Sequence, residues 1–196
     1  MIEFVDVVAK TQNPTGSDNY AAAASWFIMQ WILMLGGATV HVVVDRRRHR
    51  EHHSTRRTVE LYLVWILAFG GFWAVLAGIG HISGTSDEIA KSIGYTQSMF
   101  QWEVGWADIG IGVLGLVCIR RRDAWMTAAV VMLAISYGGD AIGHIMQWVE
   151  HDNTEPDNIW AIPSDIVGPL LAVVLLVWYR HPSGSDRGIP EPRPAV

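Results

Sequence analysis

Five apolar blocks, each bounded by charged runs, constrain this chain more than any other feature. They fall at Ala21–Val44, Val59–Ile82, Ser98–Ile119, Ala124–Val149 and Ser164–Tyr179. A helix needs about 20 mainly apolar residues to cross the hydrocarbon of a bilayer. A soluble domain of 196 residues has no room to bury five such helices. In lipid the backbone polar groups must be satisfied internally, which for blocks of this length means helix. The expected fold class is all-α, an integral membrane helical bundle of five transmembrane helices spread over residues 21–180. Residues 1–20 read as an amphipathic segment outside the membrane, because Ile2, Val5, Val8 and Ala9 recur at helical spacing. Residues 181–196, with Gly, Ser and several Pro, read as a flexible tail. No cleavable signal peptide is expected, since Met1–Lys10 is acidic and too short for an apolar core.

The basic residues orient the bundle. Arg46, Arg47, Arg48, Arg50, Arg56 and Arg57 crowd the first inter-block loop; Arg120, Arg121 and Arg122 the third; Arg180, Arg187 and Arg193 the tail. Only Lys10 and Lys91 of the 14 Lys and Arg residues fall on the other side. The positive-inside rule then places the amino terminus outside and the carboxyl terminus in the cytoplasm, in the cytoplasmic (inner) membrane. Trp65, Trp125 and Trp178 near the basic ends, and Trp102, Trp148 and Trp160 near the acidic ends, form two interfacial belts. The net charge is −5 and the arginines sit at membrane boundaries, so membrane lipids are the expected partners and nucleic acid is not. The lone Cys118 excludes an internal disulfide and dithiol exchange.

Six ionisable side chains gather toward the acidic ends of these blocks: His81, Glu103, Asp108, Asp140, His144 and Asp165. A charge in hydrocarbon is costly unless paired, metal-bound or wetted, so each is a functional candidate. Asp140 and His144 are four residues apart on one helix face. His144 lies roughly 7–8 Å below the outer end of its span, and Glu103 on the antiparallel third span matches that depth. Three arrangements compete: a metal site, a mutually neutralising network that fixes helix register, and a proton or cation path. The metal reading takes Glu103, Asp140 and His144 as core ligands, His81 and Asp165 as further ligands, and Asp108 as a supporting group behind them. Oxygen and imidazole donors suit Fe, Mn, Zn or Cu. A haem between His81 and His144 ranks below a bare ion, given the adjacent carboxylates. For Asp165, next to Ser164 where the fifth block opens, helix capping is the plain alternative. His49-x-x-His52-His53 sits among arginines and is better explained by lipid headgroups than by metal.

Glycines supply a packing signal. Gly105, Gly110, Gly112 and Gly115, and likewise Gly138, Gly139 and Gly143, suit close helix contacts. Gly110-x-Gly112-x-x-Gly115 matches a dinucleotide-binding pattern, but no strand precedes it and that reading fails. Thr85-x-x-Glu88 reads as a capping box opening a short surface helix. Asp152–Asn158 lacks the glycine and glutamate of a calcium loop and reads as a lid over the cluster.

The runs GHISGTSDEIAKSIGY, FQWEVGWADIGIGVLG and GDAIGHI resemble a family of small multi-pass prokaryotic membrane proteins of unknown function. The resemblance runs from Val59 to the end of the fifth block. It implies a helical membrane bundle and no activity. Asp140-x-x-x-His144 also resembles a metal-ligand motif in the C subunit of particulate methane monooxygenase. That motif continues with a histidine where this chain has Asp157, so the oxidation chemistry is not carried over. Two function classes stand side by side. One is a metal-dependent oxidoreductase or hydrolase acting at the outer leaflet. The other is a non-catalytic accessory or scaffold subunit of a larger membrane complex or homo-oligomer.

Overall fold

The computed structural model describes residues 17–49 and 54–181. Most of the expected amino-terminal segment and carboxyl-terminal tail, and His52 and His53, lie outside the described residues. The described chain is all-α: α1 (Ser17–Arg48), α2 (Thr55–Ile82), α3 (Ser86–Ser92), α4 (Phe100–Val117), α5 (Ala124–His151) and α6 (Pro156–Arg180). No strand occurs among the described residues.

Four helices, α1, α2, α5 and α6, are long and apolar enough to cross a membrane, which marks a helical membrane protein. The expected fifth, α4, has only 18 residues and carries Gln101, Glu103 and Asp108 besides four glycines. Those polar residues keep it outside the set that hydropathy alone identifies. It runs antiparallel to α2 nevertheless. Gly105 meets Gly78, while Gly112 and Gly115 meet Gly71. A Cβ on Gly71 would stand 2.5 Å from the carbonyl oxygen of Gly112, so only glycine lets the backbones approach this closely. At the other end of the same pair, Arg122 just after α4 reaches Glu60 in the second turn of α2.

Helix α2 is central. It packs on α4 along the glycine seam and on α1 and α6 elsewhere, while α5 packs chiefly on α6. The apolar core lies toward the basic half, where Leu63, Ile66, Leu67, Cys118, Met126, Val130, Ala172 and Leu176 close on one another. Cys118 is fully buried there, an apolar core residue in keeping with its lone occurrence. Large apolar residues stand exposed along all five long helices, as lipid-facing helices require.

Expected details differ in three places. The glycines of α5 do not line a packing face: a Cβ at Gly138, Gly139 or Gly143 would meet nothing, and the same holds for Gly110. Thr85 makes no side-chain cap; its hydroxyl instead donates to the carbonyl of Gly80. The last helix starts at Pro156 rather than near Ser164, because proline suits the first helical turn. The loop before it is only Asp152–Glu155, and the residues that follow belong to the helix.

Candidate functional site

Helix α6 takes in Pro163 and Pro169, so Asp165 is an interior helical residue and no longer a cap. It is 8% exposed, a carboxyl carried into the bundle by its own helix. Opposite it stands His144 of α5. His144 Nε2 and Asp165 Oδ2 are 3.8 Å apart, close enough for strong electrostatic interaction and too far for a hydrogen bond.

The other nitrogen of His144 is fixed by Asn158, which is completely buried. Asn158 Nδ2 donates to the carbonyls of His144 (3.2 Å) and Asn153 (3.3 Å). Its Oδ1 is therefore the acceptor of the 2.7 Å contact with His144 Nδ1, and that nitrogen carries the hydrogen. This leaves Nε2 turned to Asp165. In the sequence Asn158 reads as part of the acidic loop Asp152–Asn158, which conceals this role. Its place two residues after Pro156, inside the first turn of a helix, was the available signal.

A second histidine is held in the same manner. His81 Nδ1, near the end of α2, is hydrogen-bonded to the side-chain oxygen of Gln101 on α4, and Gln101 is buried. An amide oxygen only accepts, so Nδ1 donates here too. Two imidazoles thus present Nε2 while an amide from a neighbouring helix holds Nδ1.

Three acids complete the cluster. Asp140, one turn below His144, lies in the field of His144 and His81. Asp108 and Asp165 each feel Asp140, and the Tyr137 hydroxyl lies among all three. Neither Asp108 nor Asp140 hydrogen-bonds to a described residue; Asp108 is half-buried and Asp140 is exposed. Five of the six singled-out residues therefore share one region. Glu103 does not join them. It is exposed on α4, away from the face that carries Gln101, Gly105 and Gly112, and it bonds to no described residue. Depth along the helix placed it level with His144, but its azimuth takes it elsewhere.

The region is roofed by the segment after α3. Gly94, at φ +73°, seats against Asn153; a Cβ there would stand 2.6 Å from Asn153 Oδ1. Asn153 Nδ2 donates to Ile93 O at 2.9 Å, and the Tyr95 ring lies 6.1 Å from that of His144. Burial, with the negative charge of Asp140 behind it, holds the Tyr95 phenol above its usual range, so it stays neutral. Of the segment Asp152–Asn158 expected as a lid, the part from Pro156 on is helix, and Asn153 in the short loop joins it to the segment after α3.

Among the described residues, no three His, Cys, Asp or Glu side chains are grouped so as to hold a metal ion. The arrangement offers instead a buried imidazole–carboxylate pair with unbonded carboxylates beside it.

Over residues 24–185 the chain matches the family of unknown function DUF6790, and it belongs to that family. No curated protein and no solved structure matches it.

Proposed function

We propose that this family member is a five-span protein of the cytoplasmic membrane, amino terminus outside, with a proton-exchanging centre built on His144 and Asp165. The position of α4 against α2, from Gly105 beside Gly78 to Arg122 beside Glu60, supports the fifth span. The distribution of arginines supports the orientation.

One observation carries the functional reading: His144 Nε2 faces Asp165 Oδ2 at 3.8 Å while Asn158 fixes Nδ1 as the donor. A buried pair of this kind has two arrangements of low net charge, imidazolium facing carboxylate and imidazole facing carboxylic acid. Either is cheaper in a dry interior than one unpaired ion. They differ by one proton moved from Nε2 to Oδ2, after a small side-chain rotation closes the gap. Asp140, exposed and without a hydrogen bond to a described residue, would exchange that proton with the surroundings. The hydrogen bond from Nδ1 to Asn158 keeps the ring from turning away during the exchange.

A second reading, a metal site for Fe, Mn, Zn or Cu, is favoured by the same separation. A transition metal binding nitrogen and oxygen at about 2.0–2.2 Å each can bridge such a gap, and metal-ligating histidines commonly donate their other N–H as these do. Its third ligand would be Asp140 or His81, either of which has to move.

Infrared spectroscopy of the purified protein across a pH titration, together with elemental analysis, separates the two. A protonated-carboxyl band that vanishes in Asp165→Asn and shifts in His144→Gln, without stoichiometric metal, supports proton exchange. Stoichiometric metal that is lost in His144→Gln replaces that reading with the second. Neither band nor metal sinks both.

A further inference from the structure

We infer that the basic end of the bundle carries a headgroup site for anionic phospholipid, split across the first turns of α2. Two ion pairs build it. Arg57 binds Asp45 of α1 at 3.0 Å, and Arg122 binds Glu60 at 2.8 Å. Because Arg57 and Glu60 lie one turn apart on α2, and are themselves joined at 3.3 Å, the two pairs fix their partners on either side of it. The end of α1 is held on one side and the turn between α4 and α5 on the other.

Each arm brings two further arginines: Arg47 and Arg48 from α1, Arg120 and Arg121 from the turn. All four are exposed, and none bonds to a described residue. Among the described residues, the nearby acids are already engaged. Asp45 takes Arg57, Glu60 takes Arg57 and Arg122, and Asp123 accepts from Tyr179 at 3.4 Å. Four guanidinium groups thus flank one helix start without a matching acid among the described residues. Their planar fork fits the paired oxygens of a phosphodiester.

The surroundings identify the source of that phosphate. Val43 and Val44 precede the arginines of α1, and Ile119 and Trp125 flank those of the turn; all four are exposed apolar side chains. Arginines bordered by exposed apolar residues sit where hydrocarbon gives way to water, at the level of lipid headgroups. A soluble phosphate gains nothing from that border, whereas a lipid places its acyl chains against it.

The test is native mass spectrometry of the full chain extracted from bilayers of phosphatidylcholine mixed with phosphatidylglycerol. Wild type should retain phosphatidylglycerol in preference to phosphatidylcholine. Removing charge with Arg47→Gln, Arg48→Gln, Arg120→Gln and Arg121→Gln should erase the preference, at roughly fivefold per arginine. The paired variants Arg47→Gln/Arg48→Gln and Arg120→Gln/Arg121→Gln should each lose about half of it on a logarithmic scale, and they keep the test decisive if the fourfold variant does not fold. Retained preference in all variants overturns the inference. So does displacement of the bound lipid by inorganic phosphate at matched concentration, which would make the ligand a soluble anion.

Discussion

At its basic end the bundle ties helices together through ion pairs; at its acidic end its two histidines lean on amides. Asp45, Arg57, Glu60 and Arg122 form a chain of ion pairs between 2.8 and 3.3 Å, and Arg56 lies 4.9 Å above the Tyr179 ring. These contacts join α1, α2, α6 and the α4–α5 turn. At the other end, His81 and His144 lean on Gln101 and Asn158, and Asp108 and Asp140 bond to no described residue. Matched ion pairs use up their capacity in holding helices together. The acidic end leaves imidazole nitrogens and carboxylate oxygens without such partners among the described residues, as the proposed proton exchange would require. The helix starts follow the same division. Acids occupy the first turns of α3, α4 and α6, which begin at the acidic end, and neither α2 nor α5 has one at the basic end.

The comparison breaks outright if the seam joining the two ends is forced apart. Gly115→Val places side-chain carbons against the Leu67 carbonyl, which is backbone and cannot yield. We expect a loss of about 3 kcal/mol or more, seen as failure to recover folded protein from detergent. Next in size is Glu60→Gln, which leaves Arg57 and Arg122 without their shared acid. A fall of about 1.5–3 kcal/mol in unfolding free energy is expected, read by denaturant titration in mixed micelles. Asp165→Asn should differ in kind. His144 can shed its proton and stay neutral, and no hydrogen bond joins it to Asp165 at 3.8 Å, so the change strands no buried charge and should alter stability by under about 1 kcal/mol while removing the proposed proton exchange. Should Asp165→Asn cost as much as Glu60→Gln, the two ends are built alike and the contrast fails.

The smallest effect concerns Glu155, at the start of α6. Burial, reinforced by the charge of Asp157, raises its carboxyl above the usual range. The folded state then holds this proton more tightly than the unfolded one. The stabilisation is complete below the ordinary glutamate pKa and is lost as pH rises through the elevated value. Thermal midpoints of wild type and Glu155→Gln measured against pH should show the wild type losing ground to the variant across that window. Parallel curves would show that the carboxyl titrates normally.

Much of the architecture is legible in the sequence because lipid imposes length and polarity together. The four spans, and the gathering of His81, Asp140, His144 and Asp165 toward one end, follow from counting residues along apolar blocks. Azimuth does not. Glu103 and His144 match in depth, yet Glu103 points away. The spacing from Gln101 through Gly105, Asp108 and Gly112 to Gly115, in alternating steps of four and three, marks the face of α4 that turns to α2, and Glu103 is not in it. Composition misleads for the glycines of α5, since a small residue shows where a neighbour could approach without showing that one does. Asn158 was hidden by its polarity, which resembles that of a loop, and by Pro156, which opens a helix here rather than ending one.

The glycine seam has a mechanical meaning for everything above it. Where α2 and α4 meet backbone to backbone, no layer of side chains can deform to let one helix slide past the other. These two helices therefore behave as one stiff strut running the length of the protein. Any movement that accompanies the proposed proton exchange would fall to α5 and α6, the helices that carry His144, Asn158 and Asp165 and that share no such glycine contact with the strut.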